Sequence, residues 1–75
     1  MPELKRVSAK EAIRALERLG FKKLRQRGSY VILKKNTPGG TVGCVVPLHD
    51  NLAVGTLKGI LKQAQVSIDD FIANL

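Results

Sequence analysis

Apolar positions recur at helical spacing early in the chain and then fall into short β-branched runs. Ala9, Ala12, Ile13, Leu16 and Leu19 mark one face of a helix, with Lys10, Arg14, Glu17 and Arg18 on the other. Ser8 and Glu11 have the spacing of a capping box, in which each side chain satisfies an orphan backbone N–H near the helix start. Gly20 can take the left-handed conformation that ends such a helix, with Leu16 and Phe21 as the accompanying apolar contact. The pattern predicts a helix over about residues 8–19. Three strands follow. Phe21 to Gln26 is short and strongly basic, Arg27-Gly28 supplies a turn, and Ser29 to Lys35 forms the second strand. Asn36 to Gly40 is a turn cluster, and Thr41 to Val46 is a third strand closed by Pro47, which has no N–H for a ladder.

A loop over 48–55 leads to a second helix. Thr56 is its expected cap, Leu57, Ile60, Leu61 and Ala64 form its apolar stripe, and Lys58 and Lys62 its outer face. Gly59 inside this helix costs about 1 kcal/mol relative to Ala, so it is expected to mark close packing or backbone approach. Ser67 can cap a short terminal helix whose positive end suits Asp69 and Asp70, with Val66 and Phe71 at the positions of a hydrophobic staple.

The resulting fold class is α+β, in the order α-β-β-β-α with a short C-terminal helix. Short links favour an antiparallel meander, and two helices on one face of a three-stranded antiparallel sheet bury it economically. That is the layout of the double-stranded-RNA-binding domain. Residues 1–75 are expected to form one domain, since a chain this short builds only one small core. The N-terminus lacks the apolar stretch of a signal peptide and no run of about 18 apolar residues occurs, so a cytoplasmic location is expected.

Charge changes the picture more than composition does. Eleven of the thirteen Lys and Arg lie in residues 1–35 against Glu3, Glu11 and Glu17, so that half carries +8. Residues 36–75 hold Lys58 and Lys62 against Asp50, Asp69 and Asp70, giving −1. A localised cationic surface is the footprint of a polyanion binder. Lys22, Lys23, Arg25 and Arg27 lie on the first hairpin, Lys34 and Lys35 end the second strand, and Lys10, Arg14 and Arg18 lie on the first helix. Phe21 and Phe71 read as core, which leaves Tyr30 as the one aromatic free to meet a base. Phosphate and shape recognition therefore fit better than a stacking platform.

Few residues offer reaction chemistry. His49 is the one side chain whose ordinary titration range makes it an acid or base near neutral pH. Tyr30 is either an aromatic filling a pleated surface or a stacking and hydrogen-bonding group within the cationic half. Ser29 is either a turn residue or part of the same site. Lone Cys44, inside the apolar run Val42 to Val46, reads as a small buried hydrophobe, and one thiol with one histidine makes no metal site.

Together these residues resemble the HicA (YcfA-like) toxins of type II toxin–antitoxin modules. The matching stretches are Leu19-Gly20-Phe21, Arg27-Gly28-Ser29, Val46-Pro47-Leu48-His49, Gly55-Thr56-Leu57 and Ile60-Leu61-Lys62-Gln63-Ala64, covering roughly residues 7–72. The resemblance implies the α-β-β-β-α fold, an mRNA interferase that cuts RNA without a metal or other cofactor, and a HicB-like antitoxin protein that masks the active surface. It also implies a catalytic histidine directly after the Gly-Ser pair. Gly28 and Ser29 match, but that position is Tyr30. A free tyrosine, with a pKa near 10, is only about 0.1% ionised at pH 7, so it is a poor general base for a ribose 2′-hydroxyl. Three explanations stand open: a natural variant with weak or altered catalysis, a natural RNA-binding relic, or an engineered inactivating change. The site expectation is Tyr30, His49 and Ser29 at the cleavage centre, with Lys22, Lys23, Arg25, Arg27, Lys34 and Lys35 holding RNA.

Overall fold

A computed structural model describes residues 3–75. The elements are α1 (Ala9–Arg18), β1 (Lys22–Arg27), β2 (Tyr30–Thr37), β3 (Gly40–Pro47), α2 (Val54–Ala64) and α3 (Ile68–Ala73), the predicted order. The strands form an antiparallel sheet in the order β1-β2-β3.

Local chemistry sets both ends of α1. The Ser8 hydroxyl accepts from the Glu11 N–H at 3.1 Å, and the Glu11 carboxylate accepts from the Ser8 N–H at 3.2 Å, which completes the capping box. At the other end Gly20 has φ +102°, the Phe21 N–H donates to the Leu16 carbonyl, and the Gly20 N–H donates to the Glu17 carbonyl. These are the paired bonds of a Schellman ending, and they bury Leu16 and Phe21 together in the core. α3 starts as expected, with the Ser67 hydroxyl accepting from the Asp70 N–H at 3.1 Å.

The second helix differs. It begins at Val54, and its N-cap, Ala53, has no side chain to accept a hydrogen bond. Thr56 lies within the first turn and is not the cap. Tertiary pairing sets this start instead. Leu52 is fully buried and its N–H donates to the Val7 carbonyl at 2.7 Å, which fixes the chain just before the helix. Gly59 also departs from expectation: it is exposed, and a Cβ added there would meet nothing within 4 Å.

α1 and α2 pack on the sheet beside β3, burying Val31, Leu33, Cys44 and Val46 with Leu16, Leu57, Ile60, Leu61 and Phe71. Gln63 of α2 reaches the outer edge of β3, where its side-chain oxygen accepts from the Val45 N–H at 3.4 Å. That contact partly blunts one open edge of the sheet. Every residue of β1 is exposed, so the helices leave the opposite edge bare. Among the described residues, no helix is long and apolar enough to cross a membrane.

Candidate nucleic-acid interface

Cross-strand partners share a face of a sheet, so the register sorts the cations. Val31 and Leu33 point to the helices, as do their β1 partners Gln26 and Lys23. The open face carries the alternate rows: Arg27, Tyr30 and Pro47, then Arg25, Ile32 and Val45, then Lys22, Lys34 and Gly43. Four of the six expected RNA-holding residues therefore share the open face with Tyr30. Lys23 does not. It lies on the helix side, where with Lys10, Arg14, Glu17 and Gln26 it lines an open groove of about 390 Å³ between α1 and β1. Lys35 also turns to that side, and its ammonium lies 5.9 Å from the centre of the Phe21 ring, within reach of a cation–π attraction.

The Gly28-Ser29 pair makes a two-residue hairpin loop between the partners Arg27 and Tyr30, one residue later than the predicted turn. Gly28 has φ +55° and Ser29 does not have positive φ, the sign pattern of a type II′ turn, which requires glycine at its first central position. This turn delivers Ser29 and Tyr30 to one end of the sheet. The end of β3 lies beside them: Tyr30 pairs with Pro47, and the Leu48 N–H donates to the Ser29 carbonyl at 2.7 Å. His49 follows, held by its backbone. Its N–H donates to the Pro47 carbonyl and its own carbonyl accepts the Ala9 N–H at the start of α1, both at 2.9 Å. Tyr30 and His49, 19 positions apart in the chain, thus lie on neighbouring segments, both exposed.

Other expectations change. Arg18 takes a structural contact: its guanidinium donates to the Asn74 carbonyl at 2.8 Å and ties α1 to the end of α3. Cys44 is buried and unpaired, and burial pushes its thiol up to about 11 from 9.0, as suits a small core residue. Among the described residues, no three or more His, Cys, Asp or Glu gather as a metal site.

A β-bulge interrupts β1. Lys23 pairs with Leu33 and Arg25 with Ile32, so Leu24 is an extra residue with no partner. It is 54% exposed, more than any other large hydrophobic residue among the described residues. The bulge also decides where the charges go. Were Leu24 paired in regular alternation, Arg25 and Arg27 would fall on the same side as Lys23; with Leu24 bulged out they join Lys22 on the open face. The one available signal was the break in alternation at Lys22-Lys23-Leu24-Arg25.

Fold and site together define a small α+β protein with an uncovered, cationic sheet face. The family model described as "HicA toxin of bacterial toxin-antitoxin" matches residues 9–66, and the chain belongs to that family. Membership brings with it a toxin role and an antitoxin partner. Comparison with curated proteins gives no match.

Proposed function

We propose that this protein is a toxin that binds RNA across the open face of its sheet and cleaves it at the Ser29, Tyr30 and His49 end. One observation carries the reading. Tyr30, at the family's histidine position, lies in the ladder row beside Arg27 and Pro47, next to the segment that holds His49, on the face that gathers Arg25, Lys22 and Lys34. The cations neutralise phosphates, and each neutralised phosphate releases condensed counterions.

RNA supplies its own nucleophile. The 2′-oxygen attacks the adjacent phosphorus, its proton passes to a base, and the bond from phosphorus to the 5′-oxygen breaks as that oxygen takes up a proton. His49 is the base in this scheme, and the Tyr30 hydroxyl donates toward the departing 5′-oxygen or a phosphate oxygen. No step passes through a metal. The mRNA substrate sets the working compartment as the cytoplasm, and a HicB-like antitoxin would silence the protein by covering the same face.

The tyrosine itself favours a second reading, an RNA-binding module without turnover. Loss of a general base typically costs about 10²–10⁴ in rate. A cleavage assay in chelator separates the two, comparing the chain with Tyr30→His and His49→Ala. Cleavage that rises in Tyr30→His and vanishes in His49→Ala supports the proposed centre. Tight RNA binding with no product from the chain or from Tyr30→His establishes the module instead.

A further inference from the structure

At the β1 edge of the sheet, away from Tyr30, lies a second groove, of about 620 Å³, lined by Lys22 and Lys34 from the open face and by Lys23 and Lys35 from the helix side. Lys22 and Lys34 are direct cross-strand partners there. Like charges directly opposite in a sheet destabilise it, and no packing gain offsets the repulsion because both residues are exposed. Lys35 joins them with its stem constrained: a Cβ on Gly20 would come within 3.2 Å of its Cε, and its ammonium rests near Phe21. The bulge residue Leu24 supplies an apolar surface among these charges. Bulges recur beside functional sites because they re-aim a side chain. This one is dispensable for pairing, since removing Leu24 would leave the remaining partners in a regular ladder.

We infer that this groove is a nucleotide subsite separate from the cleavage centre, in which an RNA base lies against Leu24 while its phosphates meet Lys22, Lys34 and Lys35. The inference rests on the RNA reading above and adds a distance to it. Lys34 is four residues from Tyr30 along β2, about 13 Å. A stacked strand rising roughly 3.4 Å per phosphate covers that span in about four nucleotides. An acidic protein segment would also satisfy the lysines. The strand-long cationic row from Arg27 to Lys22, in line with Tyr30, favours a continuous polyanion.

The test uses the full chain and single-stranded RNA of three and of twelve nucleotides, with binding measured over a salt series. Lys22→Gln/Lys34→Gln should weaken the twelve-mer at least tenfold and the three-mer, too short to reach from Tyr30 to Lys34, far less. Its salt slope should fall by about 1.4, from two lost contacts at about 0.7 each. Leu24→Ser and deletion of Leu24 should each weaken the twelve-mer severalfold with the slope unchanged. Lys58→Gln/Lys62→Gln, on the outer face of α2, should do neither. The doubly substituted protein should also melt at a higher temperature than the parent, because the cross-strand repulsion is gone, which separates lost binding from lost folding. If the parent binds the twelve-mer and the Lys22/Lys34 and Leu24 variants bind it equally well, the subsite is wrong, while RNA held by Arg25, Arg27 and the Tyr30 end stands. A parent that binds no RNA at either length overturns both. Variants that lose an acidic antitoxin but keep RNA assign the groove to protein.

Discussion

Two glycines in this chain should respond to alanine with opposite signs. Gly59 sits within α2 on its exposed side, has no positive φ, and has open space where a Cβ would go. Alanine there removes backbone freedom from the unfolded chain and strains nothing in the folded one. The expected gain is about 0.5–1 kcal/mol. Gly20 is the reverse case. Its φ of +102° lies where side chains are rarely tolerated, and a Cβ would press to 3.2 Å of Lys35 Cε. The lysine end is flexible and can move, so the cost is chiefly backbone strain, about 1–3 kcal/mol. The same change moves Lys35 off Phe21.

For a domain of this size 1 kcal/mol shifts the melting midpoint by roughly 4–8 °C. Gly59→Ala should therefore melt about 2–8 °C higher than the parent and Gly20→Ala lower by a comparable or larger amount. Urea titrations with a shared slope would show that the native and unfolded states stay comparable, so that the midpoints report stability. The refuting result is definite. If Gly59→Ala is destabilised by more than about 0.5 kcal/mol, beyond the range of an ordinary surface change, then another backbone approaches that position and the exposed face of α2 is wrongly drawn. A neutral Gly20→Ala would equally refute the left-handed ending of α1.

Two further outcomes follow from burial and capping. Cys44 should resist alkylation at pH 8 in the native protein and react once urea unfolds it, because its thiol is pushed up to about 11 by burial. In the same pH range the unfolded chain gives up that proton first, so wild-type stability should fall relative to Cys44→Ala from pH 9 toward 11, by at most about 1.4 kcal/mol per unit; parallel curves for the two proteins would contradict this. Ser8→Ala should cost about 1 kcal/mol in thermal or urea melts. Adding Glu11→Ala should then cost less than it does alone, since the two residues satisfy each other's ends of one box.

What could be seen in the sequence divides by the range of the interactions that decide it. Both ends of α1 depend on residues within five positions of one another, so Ser8, Glu11, Gly20 and Phe21 announced them. The start of α2 depends on Leu52 meeting Val7, 45 positions away, and no local pattern at Thr56 could reveal that. The same distinction governs the site. Net charge is a sum over residues and survives reading along a line, so the cationic half was evident from composition. Facing is a property of pairs. Lys22 and Lys23 are indistinguishable in sequence, yet one joins Tyr30 on the open face and the other turns toward α1, because their partners are Lys34 and Leu33. A one-residue change of register moves a whole strand to the other face, and the unpaired Leu24 makes such a change halfway along β1. Every cation after it is reassigned by that single residue. This is why the set of cations that shares a face with Tyr30 is not legible along the chain: Lys23 and Arg25 are neighbours in sequence, and the bulge between them sends them to opposite sides.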